Sequence, residues 1–331
     1  MRVEAAVELN SKACLTYRKN LVRRNGTRLY EEDILLLEPS KLVETHFADG
    51  KQCDIILGGP PCQGFSVHRI NGAGVNDPRN KLIHRYFDFV QELRPKAFLM
   101  ENVPGILWSR HKSFLQEFYR SGRQAGYDIQ DPVVLDARDF GIPQRRKRVF
   151  ILGVRDDLDC DLSWPPPPTH GDANAIQGNP ALRPWVPSAY VFSRPTSPSD
   201  PNDVHMRHGR EIIEVFRSTP LNGGSRSDSD RVLKCHENHD GHKDVYGRID
   251  PKEPGPTMTT ACINPSKGRF VHPTKHHGIT VRQAARFQTF PDTFTFEGGL
   301  MSAGEQIGNA VPVELGKALL LHIKRAIGAI I

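Results

Sequence analysis

Nothing in the chain is apolar for long enough to cross a membrane, and its opening residues, Met1-Arg2-Val3-Glu4-Ala5-Ala6-Val7-Glu8, lack a signal-peptide pattern. The six cysteines (Cys14, Cys53, Cys62, Cys160, Cys235, Cys262) have no short paired spacing. That scatter excludes a disulfide framework and fits the thiols of a reducing cytosol. No segment repeats, which excludes a solenoid. The composition is that of an ordinary soluble globular protein, with 38% hydrophobic and 25% charged residues. A formal charge of +6 is compatible with a polyanionic partner without establishing one. At 331 residues the chain exceeds the size at which single cores divide, so a large domain with a smaller companion is expected.

The first 155 residues alternate strand-like and helix-like segments: strands at 3–9, 54–57, 97–101 and 148–154, and helices at 11–20, 81–93 and 114–125. Such alternation predicts a doubly wound α/β sheet. Trp164-Pro165-Pro166-Pro167-Pro168 can continue neither helix nor central strand. From there to about Thr274 periodicity is weak and Pro, Ser, Gly, Arg and His dominate, the texture of a small loop-rich domain. Helical patterns return at 280–287 and 313–327.

Three features on this frame carry chemistry. In Gly58-Gly59-Pro60-Pro61-Cys62-Gln63-Gly64-Phe65-Ser66, glycines allow a sharp turn after a strand and prolines forbid helix until the cysteine has passed. One thiol thus stands at the carboxyl end of a strand, where open α/β sheets bind ligands. Alone, the loop is equally a buried structural cysteine beside a proline turn. Met100-Glu101-Asn102-Val103-Pro104-Gly105 places a carboxylate at the end of another strand, either convergent with the thiol or an ordinary surface charge. In Gln144-Arg145-Arg146-Lys147-Arg148, extended backbone puts Gln144, Arg146 and Arg148 on one face and Arg145 and Lys147 on the other. The plain reading of that cluster is a solvated basic run.

Taken in order, Pro-Pro-Cys-Gln-Gly-Phe-Ser, Glu-Asn-Val, Gln-x-Arg-x-Arg and Gly308-Asn309-Ala310-Val311-Pro312 resemble the DNA (cytosine-5) methyltransferases of bacterial restriction–modification systems. Asp77-Pro78-Arg79-Asn80-Lys81-Leu82 and the run from Val281 to Asp292 match the same family. The resemblance implies a Rossmann-like, S-adenosylmethionine-dependent domain with a target-recognition domain. Its implied boundaries are 1–159 for the catalytic part, 160–274 for recognition and 275–331 for a segment completing the catalytic domain. It implies that the Cys62 thiolate adds to carbon 6 of cytosine, making carbon 5 nucleophilic towards the cofactor's methyl group. Glu101 would contact ring nitrogen 3 and the exocyclic amine, with Asn102 and Val103 supporting the loop, and Arg146 and Arg148 would stabilise developing negative charge. Such a reaction requires the base to be flipped out of the duplex. Glu8 corresponds to the acid on the cofactor ribose, Asp33 and Ile34 to the pair at its adenine, and Pro61, Leu82 and Asn309 to further lining positions.

The family's glycine-rich loop after the first strand is not found: by analogy it stands roughly 20 residues before the ribose acid, here Glu8. The sheet is therefore expected to lack its first strand, leaving unpaired edges and a trench. A misassigned start or truncated gene, a second polypeptide of a split enzyme, or a catalytically inactive DNA-binding remnant would each account for this. Residues 160–274 are expected to face DNA, with Arg226, Arg231 and Arg248 available to guanine edges or phosphates. Cys235-His236-Glu237-Asn238-His239-Asp240-Gly241-His242 lacks a Cys-x-x-Cys pair and reads as a polar loop, so no metal is expected. No Cys-Phe-Thr tripeptide marks the tRNA-modifying branch. The expected partners are double-stranded DNA and, functionally, a cognate restriction endonuclease, in a bacterial cytoplasm.

Overall fold

The computed structural model describes residues 2–22, 26–48, 50–60, 80–160, 162–230 and 244–328. Its centre is a five-stranded mixed sheet of β3 (Ile55–Gly58), β4 (Ala97–Asn102), β5 (Tyr127–Ile129), β6 (Val133–Asp136) and β7 (Lys147–Arg155). β3 and β4 pair in parallel through a crossover that contains helix α3 (Asn80–Leu93). β7 runs antiparallel to β4, β5 and β6, so the sheet is not purely parallel as the alternation alone implies.

Alternation along β4 sorts its side chains onto two layers. Phe98 and Met100 face α3 and helix α4 (Lys112–Gln124), packing with Ile83, Phe87, Val90, Phe114 and Phe118. On α3, Ile83, Phe87 and Val90 follow the 3–4 spacing of one helix face, which is why this stretch winds as it does. Ala97 and Leu99 face the other way, onto helix α8 (Val313–Gly328), through Leu315, Leu319, Ile323 and Ile327. Each such side chain contributes about 1.5–3 kcal/mol by leaving water.

A second sheet stands apart: β1 (Ala5–Val7) and β2 (Arg28–Tyr30) pair in parallel with each other alone. Helix α1 (Ser11–Tyr17) connects them, started by the Asn10 side chain, which accepts from the amides of Lys12 and Ala13. Among the described residues no strand joins this pair to the larger sheet. The two sheets share an apolar cluster instead, in which Ala5, Val7 and Tyr30 meet Leu42 of helix α2 (Pro39–His46), Ile56 of β3 and Phe89 and Leu93 of α3. β3 stays half exposed, Leu57 at 55%, while the β4 segment from Ala97 to Met100 is buried throughout.

The middle region is loop-rich, with helix α5 (Arg210–Ser218) its longest regular element among the described residues. A small cluster of Val215, Phe216, Tyr246 and Val271 is its own, but the larger core is shared. Ile249, Met258, Ile263 and Phe270 pack with helix α6 (Val281–Phe287) and with Ala303 and Ile307 of helix α7 (Leu300–Asn309). The chain after 275 therefore contributes α6 and α7 to one core and α8 to another. No helix among the described residues is long and apolar enough to span a membrane.

Candidate active site

The strand ends assemble the site. Glu101 lies next to last on β4, paired in register with Phe150 of β7, and Arg148 enters β7 two residues earlier. That places Arg148 Nε 2.9 Å from Glu101 Oε1, with both side chains largely buried (14% and 20% exposed). Burial pushes the Glu101 carboxyl above its ordinary value, and Arg148, then Arg146, pull it partly back. The carboxyl is thus raised by burial while the cation beside it fixes its direction.

The neighbouring strand brings Gly59 and Pro60 to the same place. An added Cβ on Gly59 would lie 3.5 Å from Glu101 Oε2. Asn102, only 2% exposed, donates through Nδ2 to the Pro60 carbonyl at 3.2 Å, while its Oδ1 accepts from the Val103 amide at 2.8 Å. This tethers the chain just before the thiol; Pro61 and Cys62 lie outside the described residues. Burial drives the described thiols of Cys14 and Cys53 up to about 11 and Cys262 to about 12, so each of these is held as an inert thiol.

The basic run divides as its alternation predicts: Gln144 and Arg146 are buried, Arg145 and Lys147 exposed. Arg146 is not beside the Glu101 carboxylate in the way Arg148 is. Its Nη1 donates to the Met258 carbonyl at 2.8 Å, and its Nη2 to the carbonyls of Gly308 at 2.7 Å and Ala310 at 2.9 Å. Its buried Nε has no partner, and burial lowers the guanidinium to about 9. Arg145 pairs with Glu253 at 3.0 Å on the wall of a cleft of about 1040 Å³, which Asp250, Thr257, Lys267 and Arg269 also line.

Of the cofactor-side residues, Glu8 follows β1, with its Oε1 accepting from the Asn10 amide at 2.8 Å. Asp33 turns the chain after β2, accepting from the Leu35 amide at 2.9 Å. Ile34 packs into the apolar cluster between the sheets. Leu82 is half-buried on α3, and Asn309 ends α7 exposed. Two acidic groups at the carboxyl ends of adjacent parallel strands, beside an apolar wall, fit a ligand with ribose hydroxyls and an adenine ring.

One expectation changes. Arg248 is wholly buried, donating to the carbonyls of Thr219, His272, Lys275 and Phe216, so it cannot read DNA. Arg231 and the stretch from Cys235 to His242 fall outside the described residues, and among those described no cluster could hold a metal ion. Gln288, 0% exposed, lies in the run from Val281 to Asp292 but carries no role from sequence: its Nε2 donates to Ile307 and Ala310 carbonyls, and its Oε1 accepts from Gln144.

The mixed α/β sheet, with a largely buried carboxyl–guanidinium pair at its strand ends, fits the Rossmann-like class of transferase domains. The family of C-5 cytosine-specific DNA methylases matches residues 1–325. The Type II methyltransferase M.XorII of Xanthomonas oryzae pv. oryzae is 32% identical over 309 residues, covering 84% of this chain and 69% of that protein. M.NgoFVII of Neisseria gonorrhoeae is 33% identical over 316 residues, covering 93% and 78%. A DNA modification methyltransferase encoded within an E. coli prophage shares the fold, with a TM-score of 0.74 at 24% identity and coverage of 98% and 93%. The chain belongs to the C-5 cytosine-specific DNA methylases, which transfer a methyl group from S-adenosylmethionine to carbon 5 of cytosine in DNA.

Proposed function

We propose that this chain methylates cytosine within a specific duplex sequence, as the modification partner of a cognate restriction endonuclease, with the target base flipped out and held as a covalent adduct of Cys62. The Glu101–Arg148 pair carries this reading. A carboxyl raised by burial can protonate ring nitrogen 3, and the guanidinium beside it stabilises charge gathering on the ring. Asn102 sets the approach of the cysteine loop through Pro60. Arg146 acts one step removed, holding the Gly308–Ala310 turn on which Asn309 sits. Glu8, Asp33, Ile34, Pro61, Leu82 and Asn309 would hold S-adenosylmethionine, which supplies the methyl group.

In this reading residues 160–274 recognise the target, residues 1–159 with 275–331 form the catalytic domain, and the cleft beside Arg145 faces DNA. The place of action is the compartment that holds the DNA, the bacterial cytoplasm. A second reading, DNA binding without transfer, is favoured by the separation of β1 and β2 from the main sheet on the cofactor side. Tritiated-methyl transfer from S-adenosylmethionine to mixed-sequence duplex DNA, followed by nucleoside analysis, separates the two. Label in 5-methylcytosine supports the enzyme; a DNA mobility shift without label supports the second reading.

A further inference from the structure

Four stretches far apart in the sequence meet at three buried polar side chains. Gln144 donates through Nε2 to the Phe287 carbonyl at 3.0 Å and to Gln288 Oε1 at 2.8 Å, and its Oε1 accepts from the Met258 amide at 2.7 Å. Gln288 in turn donates to the carbonyls of Ile307 at 2.6 Å and Ala310 at 2.9 Å. Arg146 closes the circuit on Met258, Gly308 and Ala310. Gly308 has no room for a side chain, since a Cβ there would lie 2.2 Å from the Thr260 amide nitrogen. The return segment from the recognition region is laced to the same strand: the Arg145 amide donates to the Gly255 carbonyl at 2.8 Å, and the Gly255 amide to Pro143 at 2.9 Å.

On the strand side these bonds fall on Pro143 to Arg146, the last of them two residues before Arg148. We infer that Gln288 is a positioning residue for the methyl-transfer reaction. It locks the Met258 segment, the turn bearing Asn309 and the start of β7 into one register, and so sets how Arg148 meets Glu101. The inference rests on the proposed role of that pair. Gln288 touches no reacting atom; it acts because every one of its amide functions is spent on backbone or on Gln144, inside a core where an unmade bond is costly.

The test is Gln288→Met, which keeps length and volume while removing the donors, together with Gln288→Asn, which keeps the amide on a shorter arm. Gln306→Met on the neighbouring helix serves as control. Single-turnover transfer, KM for duplex DNA and the pH profile would be measured on each full-length protein, with melting temperatures alongside. In Gln288→Met the rate should fall about 10- to 100-fold, the scale of a misplacement near 1 Å. KM for DNA should stay within about 2-fold. The alkaline limb should move to higher pH, because a displaced Arg148 no longer holds the Glu101 carboxyl down. Gln288→Asn should recover part of the rate. A lower melting temperature with an unchanged rate and pH profile would overturn the inference, as would failure of both variants to fold beside a folded control. If the wild type transfers no methyl group, the functional reading fails first and the inference falls with it.

Discussion

Replacing Gly58 by alanine sets a methyl group against a ring that cannot retreat. The added Cβ would lie 2.2 Å from Tyr86 Cε2 and 2.8 Å from Cδ2. Carbon atoms rest at about 3.5–4.0 Å, so ring or strand must move by more than about 1 Å. Tyr86 is boxed in, with ring centroids of Phe87, Phe98 and Phe118 at 5.6, 5.9 and 6.2 Å. Overpacking of this kind costs about 1–3 kcal/mol, lowering the melting temperature by roughly 1–4 °C. Gly59 is the control next door. Its added Cβ meets nothing nearer than Glu101 Oε2 at 3.5 Å, an ordinary contact. Gly59→Ala should change stability by no more than about 0.5 kcal/mol and leave methyl transfer near the wild-type rate. Differential scanning fluorimetry with the transfer assay reads both. Adding Tyr86→Leu to Gly58→Ala should cost less than the two changes summed. A Gly58→Ala protein that melts with the wild type, or an additive cycle, would refute the steric argument.

Arg148→Met should move the alkaline limb of the pH–rate profile upward, since Glu101 loses the cation that lowers it; an unmoved limb would detach Glu101 from that limb. His272 is held near 3, chiefly by burial and then by His277, and its Nδ1 accepts from the Thr274 and Lys275 amides at 3.2 and 3.1 Å. With its folded value depressed, the stability it contributes is whole above the ordinary histidine range near 6.5 and drains away as pH falls towards 3. His272→Gln should flatten the melting temperature between those limits. Arg248→Leu leaves buried carbonyls without donors and should unfold the middle region, detected by proteolysis there, with DNA binding lost as a consequence and not through a missing contact.

Where periodicity was strong the sequence sufficed. The helices at 80–93 and 313–328 and the strands at 97–102 and 147–155 fall within two residues of their patterns. β2 is not legible because Arg28-Leu29-Tyr30 is too short to show alternation. α7 was missed because Gly304 and Gly308, needed for close packing on Ile263 and Thr260, read as helix breakers. The positions of Glu101 and Arg148 are legible because one lies at the close of a strand and the other at the start of one, each with a family pattern around it. The division of labour between Arg146 and Arg148 was not, since it depends on carbonyls more than 100 residues away in sequence. Arg248 looked like a surface cation for the same reason: only the fold supplies the carbonyls that let a guanidinium be buried.

The most direct test of the central claim is to trap the adduct. Duplex DNA carrying 5-fluorocytosine, incubated with protein and S-adenosylmethionine, would be resolved on a denaturing gel and the cross-linked peptide sequenced. The account requires a denaturant-stable complex mapping to Cys62 and absent from Cys62→Ala. A complex that maps to another residue, or methyl transfer that survives Cys62→Ala, would contradict it.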